Sequence, residues 1–364
     1  MAKKSFSLSL YPWTYTAKYT TNGWIEEYQA KPHLGAEKEA TLSEQEREAL
    51  LERRNSFPQL PLVNFSTQYA LSVFEGLKAF PQKDGSLRLF RPEQNAERFK
   101  RSMEGILMPP FPPELFVNAV KTLVRQNKNL GYYPRYSDTW EKDGFLSGHS
   151  VYIRPFSYSE PGIGLNQSEH PWVVIVSTPV GAYFEGPNNK AITSDMIRAT
   201  ENGTGWIKCA SNYVISTLAK KKANSQGYME AIFLDAKERK YLEEGSSCNI
   251  FVYLKDGTLV TPALGDTILP GITRKSIIEL AQSMGIKTEE RKIAIEEVMD
   301  SAKEVFVTGT AAGIAHIESV THKGRTAVFA DGKMGELTRE LLLTLKGIQY
   351  GSHEDKFGWM TDIE

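Results

Sequence analysis

The stretch Gly205 to Tyr213, GWIKCASNY, holds a lysine, Lys208, among small and apolar residues just ahead of a helical segment. Asn212 to Asn224 carries the helical signal, with Val214 and Leu218 marking one face at a four-residue step. A lysine at the entrance to such an element has an anchored backbone and a long reach. When its amine is partly desolvated its pKa falls, and it becomes a nucleophile able to form a Schiff base. Most lysines are solvated surface charges, so Lys208 needs partners elsewhere in the chain before it can be assigned chemistry.

Composition narrows the classes. The chain has 364 residues, enough for two cores, and its 43 basic and 44 acidic residues form no long block of one sign. A nucleic-acid surface would show a basic stripe, and none is present; Lys220 to Lys222 reads as a solvated helix face. Cys209 and Cys248 stand far apart and outside any CxxC pattern, so neither a disulfide framework nor a thiolate metal site is expected. The six histidines lack HExxH spacing, which gives a metal no support. No run approaches the roughly 20 apolar residues of a membrane span, and MAKKSFSLSLYPW carries no cleavage signal, so a cytoplasmic location is expected.

Residues 1–61 read as a polar and aromatic extension packed on the first domain, with one charged helix over Thr41 to Arg54 and no chemistry. STQYALSVFEGLKAF then places Tyr69, Phe74 and Phe80 around Gly76, either as core or as the wall of an apolar pocket, since glycine permits close backbone approach. SLRLF after Asp84-Gly85 is a half-buried strand, Pro92 starts a helix containing Arg98, and Phe111 to Asn129 is another helix with Phe116, Val120 and Val124 on one side. Arg98 suits either a phosphate or a salt bridge. In the strand GHSVYIRPF, Tyr152 and Arg154 share a face and suit a substrate carboxylate or an interdomain polar contact.

The buried-strand pattern PWVVIVSTP closes a first domain over 1–178, and the glycine- and proline-rich 179–189, with Tyr183 and Phe184, reads as a linker and candidate lid before a second domain over 190–364. There, YMEAIFLD and YLEEGSSCNIFVYL read as strands joined by a charged turn, with two glutamates leading into a small-residue turn. A buried carboxylate is costly unless paired, and a protonated pyridine nitrogen is a suitable partner; a capped surface turn is the other reading. Pro270 and Gly271 precede a helix with Thr273 in its first turn, which makes an anion site but not a GxxxxGK nucleotide loop. EVFVTGTAAG supplies a second small-residue turn at Thr308 to Thr310, and a helix with Leu337, Leu341 and Leu342 precedes a polar end at HEDKFGWM.

Taken in order, FEGLKAF, NAERFKRS, VYIRP, GWIKCASNY, YLEEGSSCNIF, ILPGITR and FVTGTAAG resemble the branched-chain amino-acid aminotransferases, pyridoxal-phosphate enzymes of fold type IV. The resemblance runs from about Asn64 to the end. It implies an α+β two-domain fold, a smaller N-terminal α/β domain and a larger C-terminal one with a mixed sheet or barrel-like core. It implies that Lys208 forms the internal aldimine with pyridoxal 5′-phosphate, that Tyr213 bonds the cofactor's phenolic oxygen, and that Glu244, by its spacing to Asn249, partners the pyridine nitrogen in preference to Glu243. Arg98, Ile272, Thr273 and Thr310 resemble phosphate ligands; Tyr69, Phe74, Tyr152, Arg154, Tyr183, Ala311 and Ala312 resemble the substrate pocket. The implied reaction is ping-pong transfer of an amino group from L-leucine, L-isoleucine or L-valine to 2-oxoglutarate, by a homodimer. Gly313 and the absence of a cysteine pair at the TGTAAGI turn depart from the thiol switch of some animal members, and EEGSS has serines where relatives often have Gly or Thr. D-amino-acid and (R)-selective amine transaminases and aminodeoxychorismate lyase share the same core residues, and a noncatalytic protein that keeps the fold is an alternative of a different class.

Overall fold

Near-continuous burial along Ser150–Tyr158 marks it as a strand covered on both faces, and it takes the centre of an antiparallel sheet. The computed structural model describes residues 8–56, 61–181 and 188–364. They form two compact units: one takes in the described residues from 8 to 181 with Cys209–Ser211 and Gly347–Glu364, the other those from 188 to Lys208 with Asn212–Lys346.

The first unit has seven strands among the described residues, in the order Met360–Asp362, Leu87–Phe90, Leu77–Pro81, Ser150–Tyr158, Trp172–Val180, Trp13–Thr20 and Gly23–Ala30. Among the helices of this unit are Pro92–Gly105 and Pro113–Asn129, each with proline in the first turn, where the missing N–H costs nothing. The expected stripe Phe116, Val120 and Val124 is buried, and the Phe116 ring lies 5.5 Å from that of Phe99.

Both ends of the chain differ from the sequence expectation. The extension is not merely laid on the domain: Trp13–Thr20 pairs with Gly23–Ala30 and with Trp172–Val180, and Tyr15 is fully buried. The expected charged helix is Glu44–Asn55, started by a capping box between Ser43 and Glu46. At the other end, the segment read as polar carries buried Trp359 and Ile363 and adds Met360–Asp362 to Leu87–Phe90, so residues 347–364 belong with the first unit.

The second unit has a mixed ten-stranded sheet among its described residues, with Lys190–Thr193 parallel to both Glu230–Leu234 and Ser319–His322. Asn249–Leu254 pairs along its length with Ala302–Gly309, and Ile232, Ile250, Val252, Val305 and Val307 fill the core. The helix Asn212–Ser225 is present as expected, but its packed face is not the one that Val214 and Leu218 mark. Those two are 64% and 52% exposed, while Ser216, Ala219 and Ala223 are buried, the alanines packing with Ala231 and Phe233. Small side chains let the helix approach the sheet closely.

Glu304, buried in the Ala302–Gly309 strand, accepts hydrogen bonds from the Leu337 amide (3.2 Å), the Thr338 amide (2.8 Å) and the Thr338 hydroxyl (2.7 Å). It thereby caps the start of the Glu336–Tyr350 helix. Glu304→Ala should lower stability by about 2–3 kcal/mol, the cost of losing charge-assisted bonds and leaving buried donors unmet; urea unfolding checks this, and a loss below ~0.5 kcal/mol would refute the capping role.

Candidate active site

Gly205 fixes the path of the lysine segment. A Cβ there would stand 2.6 Å from Ala199 Cβ and 2.7 Å from the Asp266 carbonyl oxygen, so only glycine lets the two loops touch. Asn212, at the head of the following helix, donates to the carbonyls of Thr204 (2.7 Å) and Ile207 (3.0 Å) and ties down the backbone on either side of Trp206. Lys208 is half-buried, and its Nζ donates to the Tyr213 hydroxyl at 2.6 Å.

Glu243 and Glu244 lie side by side in Leu242–Gly245 and so project to opposite faces. Glu244 is buried. Its Oε1 accepts from Asn249 Nδ2 (2.9 Å) and the Leu269 amide (2.7 Å), and its Oε2 pairs with Arg198 at 2.9 Å. Burial pushes its carboxyl up to about 7, against the opposing pull of the Arg198 guanidinium, the Leu269 amide and the Lys208 amine. Asn249 also donates to the Leu269 carbonyl (2.9 Å), and its Oδ1 lies where any Gly271 side chain would go. One asparagine thus joins the carboxylate to the start of the Ile272–Ser283 helix, whose first-turn amides at Ile272 and Thr273 lack intrahelical acceptors. Thr310, Ala311 and Ala312 form the turn after Ala302–Gly309, and Gly309 stands beside the Ser247 carbonyl. A small cleft in this unit is lined by Arg198, Tyr213, Glu244, Ser247 and Leu269.

Within the first unit the structure groups other expected residues. Arg154 donates to the Tyr152 hydroxyl at 2.7 Å and lies 4.8 Å over the Phe74 ring, while Tyr152 occupies the space a Gly76 side chain would need. The shared face read from the sequence is therefore a contact. Arg98 is buried and held in two-point fashion by Glu75, at 2.7 and 2.9 Å; Asn95 supports Glu75 at 2.7 Å. Tyr69 is 38% exposed, and its hydroxyl accepts from the Gly164 amide at 2.9 Å. Tyr183 lies outside the described residues.

Sequence reasoning missed Arg198, Glu75 and the joining role of Asn249. Glu75 and Asn249 sit inside quoted motifs, but nothing in MIRATENG distinguishes Arg198 from a surface charge. The donor set fits pyridoxal phosphate: an amine beside a phenol, a buried carboxylate with an acceptor position left for a ring N–H, and a helix start with a hydroxyl for a phosphate. Among the described residues no cluster of His, Cys, Asp and Glu could hold a metal.

Residues 72–320 match the Amino-transferase class IV family. The chain is 39% identical over 305 residues, 81% of each chain, to the probable branched-chain-amino-acid aminotransferase of Staphylococcus epidermidis. It is 40% identical over 305 residues, 81% of this chain and 82% of the relative, to branched-chain-amino-acid transaminase 1 of Bacillus subtilis. Among solved structures, the Escherichia coli branched-chain amino acid aminotransferase superposes with a TM-score of 0.72 at 29% identity, covering 84% of this chain and 95% of that one. A T.th. branched-chain amino acid aminotransferase complexed with N-(5′-phosphopyridoxyl)-L-glutamate gives 0.71 at 28%, covering 84% and 94%. With the motifs, the two-unit fold and the Lys208–Tyr213–Glu244 geometry in agreement, the chain belongs to the class IV aminotransferases and, within them, to the branched-chain-amino-acid aminotransferases.

Proposed function

We propose that this chain transfers the amino group of L-leucine, L-isoleucine or L-valine reversibly to 2-oxoglutarate, giving a branched 2-oxo acid and L-glutamate, with pyridoxal 5′-phosphate as its cofactor. The observation that carries this is the half-buried Lys208 amine, 2.6 Å from the Tyr213 hydroxyl in the unit that also buries the Glu244 carboxylate. Pyridoxal phosphate, when bound, supplies the electron sink for charge developing at the donor's Cα.

The chain's own residues do the rest. Lys208 would hold the cofactor, and its amine would serve as the positioned base that takes the donor's Cα proton and as the acid that returns it. Tyr213 keeps that amine oriented and bonds the phenolic oxygen. Glu244 holds the proton at the ring nitrogen. Ile272, Thr273, Thr310 and Arg98 take the phosphate, the first two through backbone amides and Thr273 also through its hydroxyl. Phe74, Tyr69, Tyr152, Tyr183, Ala311 and Ala312 bound the substrate, and an apolar wall excludes water from polar donors better than it separates one methylene from another. Arg154 meets the second carboxylate of the glutamate pair.

We assign the active form as a homodimer in the cytoplasm. Leu62, Ile163 and Leu165 in the first unit are 94%, 74% and 91% exposed, apolar side chains that a partner subunit would cover. No described helix is long and apolar enough to cross a membrane.

The deciding experiment is the absorption spectrum of the cofactor-loaded protein with L-leucine, D-alanine or L-aspartate. Conversion to the pyridoxamine form by L-leucine alone is expected; conversion by D-alanine instead would move the chain to the D-amino-acid branch. Lys208→Ala should abolish the bound-cofactor band and cut turnover by at least about 10²–10⁴-fold, the share of a positioned base. Arg154→Gln should weaken the 2-oxoglutarate half-reaction by roughly tenfold or more, as expected for a lost charge-assisted bond, while single-turnover rates with L-leucine stay near wild type; equal effects on both would refute the assignment.

A further inference from the structure

Arg198 is buried, with 6% of its side chain exposed, and its guanidinium meets three groups. One nitrogen pairs with Glu244 Oε2 at 2.9 Å and also donates to the carbonyls of Gly205 (3.2 Å) and Thr267; Nε is buried with no hydrogen-bond partner among the described residues. A residue present only for stability would be a poor choice here, because burying a guanidinium and a carboxylate together yields little net gain. What the pair changes is the state of Glu244. An ionised carboxylate has about four acceptor positions. Asn249 and Leu269 occupy two on Oε1 and Arg198 one on Oε2, which leaves a single position for a single donor.

We propose that Arg198 is a positioning residue for the cofactor's ring nitrogen, acting only through Glu244: it keeps that carboxylate charged and leaves it one acceptor site, while its carbonyl contacts lock the Gly205 and Thr267 backbones around it. This rests on the reading of Glu244 as the ring-nitrogen partner. The charged groups that face Glu244 are Arg198 and Lys208, which favour its ionised form, and Glu243, which opposes it; Asn249 and Leu269 contribute neutral donors. Burial already lifts the carboxyl to about 7, so removal of the Arg198 charge carries it higher. A protonated Glu244 cannot hold a protonated ring.

Two readouts separate this role from a structural one. The first is the NMR signal of an isotope-labelled ring nitrogen in the holoenzyme, which reports ring protonation directly. The second is the thermal midpoint of the cofactor-free protein against pH. The folded-state pKa of Glu244 is raised, so its contribution is complete below the ordinary glutamate pKa of about 4.3, is lost as pH rises to about 7, and is flat above that. In Arg198→Met the decline should continue beyond pH ~8, each further pK unit being a tenfold change in the unfolding equilibrium, and the ring-nitrogen signal should move toward its unprotonated position. Arg198→Lys keeps the charge and should leave that signal as in wild type. Glu244→Gln should move the ring signal and remove the pH-dependent decline.

If Arg198→Met matches wild type in both readouts while Glu244→Gln moves the ring signal, the Arg198 proposal is overturned and the Glu244 reading stands. If Glu244→Gln leaves the ring signal in place, the Glu244 reading itself falls. Should Arg198→Met fail to fold, Arg198→Lys decides: a wild-type ring signal supports the charge role, and a displaced one overturns it.

Discussion

A carboxylate removed from water must be met by donors, and Glu244 meets three inside the second unit, from Asn249, Leu269 and Arg198. The elements that supply its donors are the ones an aminotransferase site needs in register: the strand carrying Asn249, the Leu269 to Gly271 turn and the loop leading to Lys208. Asn249 reaches Glu244 with one amide hydrogen and the Leu269 carbonyl with the other, and its oxygen fills the place of a Gly271 side chain. Satisfying one buried charge therefore sets the distance between the Glu244 carboxylate and the start of the Ile272–Ser283 helix.

The first unit repeats the device with the charges exchanged. Glu75, fully buried, holds Arg98 along one edge of the guanidinium, through Nε and one terminal nitrogen, and takes a further bond from Asn95. An arginine held this way keeps one rotamer and gives up the side-chain entropy of a free guanidinium. Gly76, next in the chain, makes room for Tyr152, which in turn takes the Arg154 hydrogen bond. The short motif FEG thus combines a charge anchor with a close approach.

Much of this was legible because local rules and tertiary packing agree. Pro92 and the Phe116, Val120, Val124 stripe gave helices where they stand, and the Glu304 to Gly313 run gave a strand and a turn. Legibility failed where the partner lies far along the chain. The Trp13–Thr20 strand has ordinary polar alternation; its hairpin with Gly23–Ala30 is local, but its place in the sheet is set by pairing with Trp172–Val180, more than a hundred residues later. Val214 and Leu218 misled because an apolar pair at helical spacing marks a face without saying what covers it, and the packed face is made of alanine and serine. Arg198 was invisible for the same reason: its meaning is a carboxylate on another strand, and no spacing within its own segment encodes that.

The return of the C-terminus to the first unit has a bearing on how the protein is made. Met360–Asp362 is the outermost strand of a sheet whose other members lie before residue 181, and it brings buried Trp359 and Ile363 with it. During synthesis the Leu87–Phe90 edge stands without its neighbour until residue 362 has been added, whereas all the described strands of the second unit have been synthesised by residue 328. The half of the molecule that begins first is completed last, and an open strand edge on the nascent chain has to be kept from pairing with other chains for the whole of that interval.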